Sequence, residues 1–187
     1  MANTQTSDPA KVRLKNVRLS FPKLFKAESV QKGGEPKFSS SFLLNKKTDA
    51  AQIDLIRDTV EKMKHLKWGD NPPKGIKSCL HEGSEKDFDG YDETVMFISS
   101  STPRRPVVVD RDLTPLTAED PKPYAGCFVN CTLRLWAQDN EFGKRVNAEL
   151  CAVQFSNHGE EFSGKPKISA EEEFESLEDS SVDVDDI

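Results

Sequence analysis

Residues 126–138, GCFVNCTLRLWAQ, carry side chains suited to holding a flat, anionic ligand. In an extended strand, successive side chains point to opposite faces. The odd positions Cys127, Val129, Cys131, Leu133, Leu135 and Ala137 are small or apolar and make a core face. The even positions are Phe128, Asn130, Thr132, Arg134, Trp136 and Gln138. A solvated sheet face usually carries polar residues alone, whereas this one adds two rings and a guanidinium. Aromatic rings stack on nucleic-acid bases at about 1–3 kcal/mol per base, and Arg pairs with phosphate or lies over a base. The competing reading is that Phe128 and Trp136 pack beneath a loop or against a helix. This strand alone does not choose between the two.

Other basic segments favour the first reading. The run VRLKNVRLSFPKLFK interleaves Arg13, Lys15, Arg18, Lys23 and Lys26 with Phe21 and Phe25. In STPRRPVVVDRD, Arg104 and Arg105 stand between two prolines, which restrict the backbone and lower the entropy lost on presenting two guanidinium groups. Lys144 and Arg145 lie just beyond the strand that carries Trp136. The candidate nucleic-acid contacts are therefore Trp136 and Phe128 for stacking, and Arg134, Arg104, Arg105, Arg13, Arg18 and Lys144 for backbone charge.

Enzyme chemistry has weaker support. The chain has no GxSxG, P-loop or HExxH signature, and its three histidines are widely spaced. The acidic stretch containing Asp87, Asp89, Asp92 and Glu93 could hold Mg²⁺ for phosphodiester cleavage, but Asp and Gly are also common turn residues. The four cysteines lack zinc-ligand spacing and read as buried free thiols. The expectation is a non-enzymatic protein with no metal and no cofactor.

Charge is segregated along the chain. Nine of the 32 acidic residues fall in the last seventeen positions, which contain no Lys or Arg. The remaining 23 acids face 26 bases, so the body is slightly basic. A block of like charge repels itself, stays disordered and often serves as an interaction tail. Here Glu171, Glu172, Glu173, Asp183, Asp185 and Asp186 alternate with apolar positions that include Phe174 and Ile187. Carboxylates can mimic a phosphate backbone in a basic groove, and isolated apolar residues can anchor a protein partner.

Periodicity supplies the scaffold. Strand patterns occur at 12–21, 37–44, 94–101, 105–110, 126–138 and 144–156, the first ending at Pro22. The last two are joined by DNEFG, which reads as a hairpin. Residues 70–94 read as irregular. Ile53, Ile56, Val60 and Met63 recur at helical spacing, with Asp49 and Gln52 placed for a capping box and Gly69 for a stop. Strands do not alternate with helices as a parallel sheet requires, so the expected class is all-β: an OB-like antiparallel barrel with one inserted helix. The expected organisation is a flexible arm over 1–10, a barrel domain over 11–165 and a disordered acidic tail over 166–187. A hydrophobic share of 35% suffices for one modest core. No apolar run approaches the ~18–20 residues that span a bilayer, so a cytoplasmic protein without membrane contact is expected.

Several segments taken together resemble small OB-type single-stranded DNA-binding proteins encoded by phages and prophages. They are NVRLSFPKLF, GGEPKFSSSFLL, TDAAQI, RPVVVDRDLTPL, YAGCFVNCTLRLWAQDNEFGKRVNAELCAVQF and HGEEFSG, spanning about 16–164. The resemblance implies a protein that coats single-stranded DNA, largely without sequence preference, during phage replication or recombination in the host cytoplasm. Duplex DNA would be a weaker ligand, and a homo-oligomer is compatible with it. The tail resembles the acidic C-terminal tails that recruit replication or recombination proteins and compete with DNA. Many such tails end in Ile-Pro-Phe, whereas this chain stops at Ile187. Two rival functions follow from the residues themselves: a DNA mimic that blocks a host nucleic-acid enzyme, or a Mg²⁺-dependent nuclease built on Asp87, Asp89 and Asp92.

Overall fold

The computed structural model describes residues 8–29, 31–163 and the pair Glu173 and Phe174. Five strands carry the architecture: β1 (Lys11–Glu28), β2 (Lys37–Asn45), β5 (Val95–Thr102), β7 (Phe128–Asn140) and β8 (Gly143–Asn157). Three shorter strands, β3 (Lys77–Ser78), β4 (Leu80–Glu82) and β6 (Val107–Val109), join the same sheet. Among the described residues the one long helix, α1 (Ala50–Trp68), lies between β2 and β3. The order β1-β2-β5-β8-β7 returns to β1, giving a closed five-stranded OB-type barrel. Closure uses a parallel contact of Ser101 on β5 with Glu149 on β8. Where β5 and β8 diverge, β3 and β4 fill the gap by pairing with β8 and β5 respectively.

Alternation decides what fills the barrel. Val12, Leu14, Val17 and Leu19 of β1 point inward, as do Phe42 and Leu44 of β2 and Leu133 and Leu135 of β7. Ile53, Ile56, Val60 and Met63 of α1 join the same cluster, so the helix's apolar stripe completes the core. Each such side chain contributes about 1.5–3 kcal/mol when fully buried. Cys79, Cys127 and Cys131 belong to this core. Burial pushes the Cys79 thiol up to about 12 and also raises those of Cys127 and Cys131, so they behave as small apolar residues rather than ligands or nucleophiles.

Three local expectations are corrected. The first strand does not stop at Pro22 but runs on to Glu28. Its register with β2 shifts between Ser20 and Lys23, and a proline without an N–H is tolerated at such an irregularity. Asp49 and Gln52 do not form a capping box. Asp49 accepts the Asn45 N–H instead, at 2.8 Å. Gln52 accepts the Lys15 N–H at 2.7 Å and donates to the Lys15 carbonyl at 3.0 Å. Lys15 sits in a bulge of β1 where Asn16 has φ of 52°, so the Gln52 amide replaces ladder partners that the bulge removes. Residues 70–94 are not wholly irregular, because they contain β3, β4 and a single 3-10 turn at Gly83–Glu85.

At the N-terminal end, Ala10 is buried and Asp8 accepts its N–H at 3.0 Å. Apart from Glu173 and Phe174, the acidic segment lies outside the described residues. Among the described residues no helix is long and apolar enough to cross a membrane.

Candidate nucleic-acid interface

The hairpin of β7 and β8 positions the first site residue. Asn140 pairs with Gly143, leaving the two-residue turn Glu141-Phe142, and Gly143 takes φ of 112°. That left-handed backbone is why glycine ends the turn. The Trp68 indole N–H, at the end of α1, donates to Asp139 at 3.0 Å and ties the helix to the turn end of the hairpin. On the outer face of β7, Trp136 stands opposite Asn147 of β8 and keeps 46% of its surface exposed.

Trp136 lines an open cleft of about 1010 Å³. One wall is the hairpin, with Trp136, Gln138, Asn140, Phe142 and Arg145. The other sides come from residues 77–81, Ser99–Ser101 of β5, and Gln31 and Lys37. Lys37, Lys77 and Arg145 bring positive charge, and none of the lining residues is a carboxylate. His81 adds a ring stacked on Phe97 with centroids 5.0 Å apart, while its Nδ1 lies 3.3 Å from Glu85. Phe142 at the turn is 74% exposed. An open groove with cations, hydroxyls and accessible rings can take phosphates and stacked bases together.

None of the other candidate contacts named from the sequence lines this cleft. Lys144 adjoins Arg145 at the hairpin tip and is exposed. Arg134 lies two residues from Trp136 on the same face and pairs with Asp8 at 3.3 Å. That pair is solvent-exposed and worth about 0–1 kcal/mol, so a phosphate can replace the carboxylate at little cost. Arg104 and Arg105 are exposed just past the strand that supplies Ser99–Ser101, and the Arg105 guanidinium lies 5.9 Å from the Phe25 ring centroid. Arg13 is exposed on β1 opposite Thr132, beside a shallow pocket shared with Lys15 and Asn130.

Phe128 and Arg18 lie elsewhere. They are paired in register across β7 and β1 and line a separate cavity of about 480 Å³. The Arg18 guanidinium donates to the carbonyls of Gly126 at 3.0 Å and Glu160 at 2.7 Å, and it stands 4.1 Å from the Phe162 ring centroid. The chain returning after β8 covers this side. Phe162 is buried with Leu43, Tyr91 and Phe97 in a second, smaller apolar cluster. Gly126 has φ of 103°, and a Cβ there would meet the Glu160 carbonyl at 2.0 Å. Arg18 is thus engaged as a clamp within the protein.

Periodicity did not single out Phe142, Lys77, Lys37 or His81. The signal for Phe142 was available: an aromatic residue inside a two-residue turn, where a polar one is usual. The other three reach the cleft only through the long-range pairing of β2, β3 and β4, which no local pattern encodes. Within the acidic stretch at 87–93, Asp92 accepts the Thr94 N–H at 2.8 Å and Asp89 accepts the Ser163 N–H at 3.4 Å. Among the described residues no three His, Cys, Asp or Glu side chains converge to hold a metal.

Comparison with known proteins identifies the family. A family model described as Enterobacter phage Enc34, ssDNA-binding protein, matches residues 10–185. The chain belongs to that family. It is 38% identical over 174 residues to protein p50 of Acyrthosiphon pisum secondary endosymbiont phage 1, covering 87% of this chain and 91% of that one. Among solved structures, the single-stranded DNA-binding protein from bacteriophage Enc34 in complex with ssDNA matches with a TM-score of 0.72 at 30% identity. The match covers 82% of this chain and 90% of that one. Another structure of the Enc34 protein matches at 0.71 and 28% identity, covering 89% and 90%. The bacteriophage T7 gp2.5 single-stranded DNA-binding protein shares the fold, with a TM-score of 0.53 at 12% identity over 89% and 98% of the two chains. This is a family of phage-encoded binding proteins, not of enzymes.

Proposed function

We propose that this protein coats single-stranded DNA, largely without sequence preference, by seating the strand in the Trp136 cleft. The observation that carries the reading is the cleft itself: a 46%-exposed indole in an open groove with Lys37, Lys77 and Arg145 and no lining carboxylate. Stacking is tolerant of sequence because every base has a π face. Arg134, Lys144, Arg104, Arg105 and Arg13 extend the positive surface around the groove. Arg18 and Phe128 support it indirectly by clamping the chain after β8. The Enc34 complex with ssDNA, on a related barrel, favours the same ligand.

In this reading the acidic tail, with Glu171, Glu172, Glu173, Asp183, Asp185 and Asp186, competes with DNA for the cleft. Phe174 and Ile187 give replication or recombination proteins their anchors once DNA has displaced it. The setting is phage DNA replication or recombination in the host cytoplasm.

Gel shifts with full-length protein and a variant lacking residues 170–187, on single- and double-stranded oligonucleotides at two salt concentrations, test both parts. Single strands are expected to bind more tightly than duplex. Affinity should fall with salt at a slope of roughly −0.7 per phosphate contact. Tail removal is expected to tighten binding most at low salt, where screening is weakest. A flat salt titration would discredit the charge contribution. Unchanged or weaker affinity without the tail would discredit the competition.

A further inference from the structure

The first strand carries a second irregularity beyond the bulge at Lys15. Between Ser20 and Lys23 the pairing of β1 with β2 shifts, and within that bulge Phe21 takes φ of 46°. A bulky residue in the left-handed region carries strain that folded proteins retain mainly where the surroundings demand it. Bulges next to binding sites commonly re-aim one side chain. Here the re-aimed side chain is a ring that remains 37% exposed. Phe88 meets it edge to face with centroids 4.9 Å apart, and Tyr91 lies 6.1 Å away. Tyr91 is fixed in turn, donating its hydroxyl proton to Ser20 at 2.8 Å. Phe21 is thus a ring held at the surface by a special backbone and a rigid aromatic support.

Small hydroxyl side chains separate Phe21 from Trp136. Ser41 pairs with Ser99 and Ser39 with Ser101 across β2 and β5, and paired residues share a face of the sheet. Ser99 and Ser101 already line the Trp136 cleft. On β8 the partner of Trp136 is Asn147, another small polar residue. Neighbouring strands lie about 4.8 Å apart, so crossing from β7 over β8, β5 and β2 to β1 covers at least about 19 Å, and more where β3 and β4 widen the step from β8 to β5. At roughly 3.4 Å per stacked nucleotide that is at least about five or six nucleotides, within the ~4–16 that one OB barrel occupies. Serines leave room for a strand to lie close to the sheet, and their hydroxyls can donate to phosphate oxygens.

We propose that Phe21, backed by Phe88, is a second base-stacking platform for single-stranded DNA, reached from Trp136 across the serine floor of β5 and β2. The proposal rests on the reading of the Trp136 cleft as the DNA groove. It adds a far end to that groove and a direction across the barrel.

Oligonucleotide length separates the two ends. Fluorescence anisotropy would be measured with labelled oligothymidylates of about 3 to about 12 nucleotides, a range that brackets the path. The proteins are full-length wild type, Phe21→Ala, Phe21→Leu, Phe21→Trp and Trp136→Ala. Phe21→Leu keeps apolar packing without a π face, and Phe21→Trp keeps a π face. The two non-aromatic variants are expected to match wild type on the shortest oligonucleotides. On the longest they should bind about 5- to 150-fold more weakly, with Phe21→Trp close to wild type. Trp136→Ala should lose affinity at every length. Wild-type binding of long oligonucleotides by Phe21→Leu, or an equal loss at all lengths, overturns the platform while leaving the cleft intact. No loss for Trp136→Ala at any length overturns the cleft reading and the platform with it.

Discussion

Strand β7 sends Phe128 and Trp136 to the same outer face of the barrel, yet the two rings have opposite surroundings. Trp136 opens onto a cleft whose charged lining residues are all cations. Phe128 lies under the chain that returns after β8, where Gly159 approaches its ring closely enough that an added Cβ would meet it at 3.0 Å. An arginine accompanies each ring. Arg134 has a single exposed ion pair, with Asp8, whereas Arg18 donates to two backbone carbonyls and stacks on Phe162. The same residue types therefore form a receptive surface at one end of the strand and an internal clamp at the other. What separates them is whether later chain covers the face and whether their hydrogen-bonding capacity is already used.

The sharpest way to break this contrast is to remove the clamp's ring. Phe162→Ala takes a buried Phe from the small cluster with Leu43, Tyr91 and Phe97. Such truncations cost about 3–5 kcal/mol of stability. Chemical denaturation should register that loss, while single-strand affinity measured well below the melting transition stays near wild type. A large loss of affinity with full stability would make the clamp side the binding face. A smaller effect sharpens the other half. Lys77→Gln and Arg145→Gln in the cleft should each flatten the slope of log affinity against log salt by roughly 0.7, one phosphate contact each, with no change in stability. An unchanged slope would remove these two cations from the site.

The contrast also marks how far local pattern reaches. Alternation along 126–138 separated core positions from outer ones, and the helical recurrence of Ile53, Ile56, Val60 and Met63 located the inserted helix. Period-2 and period-3.6 burial act over a few residues, so they are readable from the chain. The fate of the outer face is not local. Gly159, more than thirty positions downstream, packs against the Phe128 ring, and Trp136 gains Lys77 and His81 as neighbours only because β3 and β4 fill the gap between β8 and β5. The same limit explains the misread strand end and cap. Pro22 is accommodated because it falls at a register shift, and Gln52 serves a bulge 37 residues away rather than its own helix.

The most direct measurement compares the two rings in one experiment: single-strand affinity of Trp136→Ala and Phe128→Ala, with the folded fraction of each matched by circular dichroism. Trp136→Ala is expected to bind about 5- to 150-fold more weakly with little change in melting temperature, the equivalent of one lost stack at ~1–3 kcal/mol. Phe128→Ala is expected to melt earlier and bind as wild type. Wild-type affinity for Trp136→Ala, or a comparable loss for folded Phe128→Ala, would contradict the assignment of the open cleft as the DNA groove.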